Sequence, residues 1–116
     1  MTLCDDILAL DEKIRCVAHL SEDFKLVEMK QRAGVKSLTD EKTDQEFYSI
    51  IEPVILGACS RLEPRLGRLK TVRIKYENVS IVFMRLPHAV VGLSMEPGPT
   101  TPLIEKVGKR FKVELV

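Results

Sequence analysis

The chain has 116 residues, 45% hydrophobic and 30% charged, with six Gly and six Pro; a chain of this size makes one domain and can bury roughly two thirds of its unfolded surface without disulfides or metal. This composition excludes disordered and collagen-like classes, and no run approaches the ~18 apolar residues of a membrane span. The formal net charge of +1 conceals a polarity, −5 over residues 1–52 and +6 over residues 53–116, which fits a nucleic-acid surface, an acidic partner, self-association of complementary patches, or simply one fold that interleaves both halves.

From Thr2 to Leu10 the apolar residues Leu3, Ile7, Leu8 and Leu10 recur at helical spacing behind a threonine able to cap the first turn. "KIRCVAHLS" alternates like a strand, with Ile14, Cys16, Ala18 and Leu20 expected on one face and Arg15, Val17 and His19 on the other. Ser21, Glu22 and Asp23 supply a turn, and "FKLVEMKQ" returns as the second arm of a hairpin. After the connector "QRAGVKSLTDEKTDQE", Thr43 and Glu46 have capping-box spacing and predict the start of a long helix. Phe47, Ile50, Ile51, Val54, Ile55, Ala58, Cys59 and Leu62 predict a broad apolar stripe that covers a sheet. Pro53 leaves the Ser49 carbonyl without a helical donor, so a kink or two abutting helices is expected there.

"RLEPRLGRL" ends that helix, and "KTVRIKYE", "VSIVFMRL" and "HAVVGLSME" read as three strands, the middle one almost continuously apolar as a doubly covered strand should be. "PGPTTP" launches a last helix with Leu103, Ile104, Val107 and Phe111 inward. The expected fold class is therefore α+β: a five-stranded antiparallel sheet in the order α-β-β-α-β-β-β-α over residues 1–116. The central helix lies on one face and the terminal helices on the other.

No catalytic signature emerges. A phosphate cradle needs glycines at fixed offsets, and Gly34 stands alone; Arg32, Lys36 and Ser37 would form at most a weak anion site on what is foremost a connector. His19 and His88 lack neighbours at metal spacing, and Cys4, Cys16 and Cys59 lack any C-x-x-C, so neither a metal nor a cofactor is expected and the thiols read as reduced. Asp5 and Asp6 occupy the place where a signal peptide would carry Lys or Arg, and a cytoplasmic address is expected. The basic cluster Arg61, Arg65, Arg68, Lys70, Arg73 and Lys75 exceeds what the fold requires. It reads as a solvated face, a protein interface, or a weak nucleic-acid surface that the 5% aromatic content disfavours.

This succession of elements, at this length, resembles the roadblock/dynein light chain family within the wider profilin-like and PAS-like set of sheets. In addition, "KIRCVAHLSEDFKLVEM", "RAGVKSL", "IKYENVSIVFMRLP" and "LSMEP" are similar to a small archaeal family, a likeness that brings no activity with it. The roadblock resemblance implies a non-enzymatic homodimer that scaffolds or regulates a protein partner such as a small GTPase. It also implies pairing of sheets through the third strand, residues 69–76, with the central helices adjacent. Arg65, Arg68, Lys70, Arg73 and Lys75 would then line the dimer or partner interface, with no role for a membrane. Fold does not settle function, and the alternative is a PAS-like sensor holding an apolar ligand between the sheet and the helix near Pro53. A cavity between the 47–59 helix and the 79–95 strands would favour sensing; a packed core with an exposed apolar edge would favour assembly.

Overall fold

The computed structural model describes residues 2–116. A short helix α1 (Leu3–Leu8) precedes the hairpin β1 (Ile14–Leu20) and β2 (Leu26–Gln31). The central helix follows as α2 (Glu41–Glu46), a π-helical segment (Phe47–Ile51) and α3 (Glu52–Ser60), and the short α4 (Glu63–Leu66) closes it. Then come β3 (Thr71–Lys75), β4 (Ser80–Arg85), β5 (Val90–Met95) and the terminal helix α5 (Thr101–Phe111).

The five strands form one antiparallel sheet in the order β2-β1-β5-β4-β3. β1 and β5, far apart in sequence, pair at its centre, and β2 and β3 are its edges. As the alternation predicts, side chains divide between two cores. On one face α1 and α5 bury Cys4, Ile7, Leu103, Ile104 and Val107 against Val17, Val82, Met84, Val91 and Leu93. On the other, the central helix covers Cys16, Ala18, Leu20, Phe83 and Val90.

Three local expectations are corrected. Ile14 and Cys16 do not share a face: a register shift between them, opposite Met95 and Ser94, turns Ile14 to the α1/α5 core and leaves Cys16 on the other. β2 starts at Leu26 because Phe24 takes φ +64° inside the hairpin turn. The helix cap is Asp40 rather than Thr43; the Asp40 carboxylate accepts from the Thr43 N–H at 2.7 Å, which places Thr43 in the first turn.

Both terminal helices are set by sequence-local chemistry. Thr2 and Asp5 form a reciprocal capping box on α1. Pro102 opens α5, where its missing N–H costs nothing, and Lys109 and Arg110 sit in its last turn.

Candidate functional site

The central helix keeps part of its expected stripe and turns the rest away: Phe47 and Ile55 pack against the sheet-side core, whereas Ile50, Ile51, Val54 and Leu62 do not. Tyr48, Glu52 and Leu56, at i, i+4 and i+8, are the side chains it buries against the sheet. Ile50, Ile51 and Val54 face solvent, Val54 at 65% exposure, and Leu62 and Leu66 continue the exposed series to 76% at Leu66. Pro53 produces no break. The turn before it widens, with the Glu52 N–H reaching back five residues to the Phe47 carbonyl, and the helix continues through the proline. A single-residue insertion of this kind rotates everything after it, which turns Val54 to solvent while Ile55 and Leu56 stay against the core.

Glu52 is wholly buried, and neither of its carboxylate oxygens has a hydrogen-bond partner. It reaches the sheet because β5 carries glycine at position 92. A Cβ there would overlap Glu52 Oε1 and lie 3.0 Å from Tyr48 Cε1. Burial pushes the Glu52 carboxyl up to about 8, so the protonated form dominates at neutral pH. A lone glutamate between Ile51 and Pro53 carries no motif; its i, i+4, i+8 relation to Tyr48 and Leu56 is the signal in the sequence that marks its face.

One turn before Glu52 the helix leaves the sheet. α2 buries none of its residues, and beneath it lies a recess of about 380 Å³. Cys16, Ile81 and Ser94 of the strands form its floor, Phe47 and Tyr48 its helical wall, and Leu38 and Tyr76 its mouth, the last two 59% and 58% exposed. The recess lies N-terminal to Pro53 rather than beside it; around Glu52 and Leu56 the helix is in contact with the sheet. At its edge Asp44 accepts hydrogen bonds from the hydroxyls of Ser37 and Thr39, and Arg15 donates to Glu96 Oε1 at 2.5 Å and to the Lys36 carbonyl at 2.8 Å.

The connector residues are taken up by the fold. Arg32 donates from Nε to the Ile14 carbonyl at 2.6 Å and from Nη2 to those of Leu8 and Asp11 at 2.6 and 2.7 Å. Ser37 faces the Asp44 carboxylate, which repels an anion, and Lys36 is exposed with its carbonyl held by Arg15. Gly34 takes φ +80° with open space around it, as a turn glycine should.

The basic band lies along β3 and the segment leading to it. Arg73 donates to the Thr100 and Thr101 hydroxyls at 3.3 and 2.9 Å, and Lys75 to the Gly98 carbonyl at 3.3 Å. Arg68 donates to the Leu86 carbonyl at 3.1 Å, Lys70 pairs with Glu114 at 3.8 Å, and Arg65 is exposed. These tethers draw Arg73 and Lys75 toward the α5 side, while Val72 and Ile74 pack on the side of the central helix. β3 is thus an edge strand whose unpaired ladder lies beside the exposed leucines of the helix end, with Leu62 and Leu66 facing a shallow groove shared with Thr71 and Arg73.

Burial pushes the Cys4 and Cys16 thiols up to about 12, which leaves them protonated and unreactive. Among the described residues no three His, Cys, Asp or Glu gather closely enough to hold a metal ion, and no helix is long and apolar enough to cross a membrane.

Neither a protein-family model nor a curated protein matches the sequence. Among solved structures the chain is similar to the gliding protein mglB from Thermus thermophilus, with TM-score 0.68 and 14% identity over 92% of this chain and 78% of that one. It is similar to a Roadblock/LC7 domain from Streptomyces avermitilis, with TM-score 0.69 and 9% identity over 95% and 89%. An MglB with tetrameric arrangement aligns with TM-score 0.68 and 14% identity over 92% and 77%. At these identities the likeness is one of fold: the chain has the roadblock fold, as its order of elements predicted.

Proposed function

We propose that this roadblock-fold chain is a non-enzymatic protein-interaction module. It forms a homodimer through the outer face of its central helix and the β3 edge, and presents the assembled surface to a protein partner of the small-GTPase class. The observation that carries this reading is the exposed series Ile50, Ile51, Val54, Leu62 and Leu66 on the central helix and its end, whose last two members border the unpaired edge strand β3. A second copy of the same face supplies both needs, hydrophobic cover for the helix and hydrogen-bond partners for the strand. The tetrameric arrangement of one solved neighbour supports association as a habit of this fold, and the small-GTPase class follows from the roadblock resemblance.

Arg65, Arg68, Lys70, Arg73 and Lys75 border this surface. In this reading they form its polar rim and steer an acidic partner, with Arg73 and Lys75 held clear of the strand edge by the 98–101 loop. The same band reads less well as a nucleic-acid surface, because four of its five cations already have partners within the chain.

Sedimentation or light scattering at micromolar concentration tests the dimer. The wild-type chain should run as a dimer, and Val54→Glu, a change at an exposed position, should give a monomer with an unchanged circular dichroism spectrum. A wild-type monomer, or a V54E protein that still dimerises, removes this reading.

A further inference from the structure

The recess under α2 is not used by the proposed assembly, and its shape and charge identify what it could hold. Its volume, about 380 Å³, falls within the range of small-ligand sites. Folded interiors ordinarily close such gaps, since unfilled apolar walls forfeit dispersion contacts. Here the gap persists because α2 hangs from the π-helical segment without any side chain seated on the sheet. Two large apolar side chains, Leu38 and Tyr76, remain exposed at the mouth, where an occupant would cover them.

The walls are aromatic and aliphatic, and one formal charge is left uncompensated at the rim. Arg15 is neutralised by Glu96. Asp44 receives only the neutral hydroxyls of Ser37 and Thr39, and among the described residues it takes part in no ion pair. Its negative charge is felt on the floor: after burial itself, Asp44 is the next cause that raises the Cys16 thiol.

We propose that this recess binds a compact aromatic amine, its ring against Phe47, Tyr48 and Ile81 and its ammonium group at Asp44. The ring exploits the apolar walls and edge-to-face contact with Phe47 and Tyr48, themselves packed edge-on at 5.3 Å. The ammonium group supplies the charge-assisted donor that Asp44 lacks. The site belongs to one copy of the chain, so it stands whether or not the dimer forms.

Three probes of one shape and different charge decide it: 2-phenylethylammonium, 2-phenylethanol and 3-phenylpropionate, each titrated into the full chain and followed by amide chemical shifts. The amine should give saturable shifts at Cys16, Thr43 and Ser94 and bind about tenfold or more tighter than the carboxylate. Asp44→Asn should collapse that preference. Thr43→Phe, which fills the mouth from an exposed helix position, should abolish binding of all three while the remaining spectrum holds. No saturation by the amine, a carboxylate bound as tightly as the amine, or an undiminished preference in D44N overturns the proposal. Should D44N lose its circular dichroism signal, the wild-type charge series and T43F decide the matter by themselves.

Discussion

The two faces of the sheet solve the burial problem differently. Under α1 and α5 the interior is built from Ile7, Ile14, Val17, Val82, Met84, Val91, Leu103, Ile104 and Val107, and the one unpartnered carboxylate oxygen among its described residues, Glu28 Oε1 beside Cys4, sits at the margin on β2. Under the central helix the interior holds a carboxyl with no partner, a glycine hollow that admits it, and a recess beside it, while the helix shows its aliphatic residues to solvent. The first face is organised for stability. The second gives up stability for surface and space, the arrangement expected where a protein keeps its binding groups.

Perturbing each face separately sharpens that contrast. The largest loss is expected on the dry side: Ile104→Ala removes a fully buried side chain and should cost about 2–5 kcal/mol in denaturant unfolding. A loss well under 1 kcal/mol would mean that this face is not the stabilising one. On the other side, Gly92→Ala places a methyl group against Glu52 and Tyr48 and should cost about 1–3 kcal/mol. Much of that should be recovered when Glu52 is shortened to alanine in the same chain, because the two positions share one space.

Replacing Glu52 by methionine has the smallest and most diagnostic effect. The folded-state pKa of Glu52 lies above its unfolded value, so the native state holds the extra proton between the unfolded value near 4.5 and about 8. The contribution of protonated Glu52 to stability is then fully present below pH 4.5, falls as pH rises through that window, and levels off above it. E52M should erase this slope and gain on the order of 1–2 kcal/mol at pH 8 relative to wild type, read from urea midpoints at several pH values. Parallel pH profiles for the two proteins would show that the carboxyl finds a partner in solution.

The strands, their hairpin, the helix order and the two-faced sheet were legible because alternation and turn residues are local properties: "KIRCVAHLS" and "VSIVFMRL" carry their own period. The orientation of the central helix was not. Its stripe is nearly continuous from Phe47 to Leu62, and a pattern apolar on most sides does not say which side meets the sheet; the π turn and the glycine at position 92 decide that from a distance. The connector was read as a connector, but the work of its arginine was hidden for a related reason. Arginine near glycine, lysine and serine has the composition of an anion site, but the partners of Arg32 are backbone carbonyls, which leave no mark in a sequence. The recess was invisible because it arises where α2 does not pack.

Those three carbonyls have a consequence for how the chain comes together. A six-residue helix has no persistence in isolation, and α1 ends without a glycine stop or a basic side chain in its last turn. The carbonyl of its last residue, Leu8, is met instead by the Arg32 guanidinium, which also takes the Asp11 and Ile14 carbonyls and so joins the helix end to the start of β1 and the end of β2. The opening third of the polypeptide is thereby fastened together from α1 through β1 to β2, with Arg32 as its clasp.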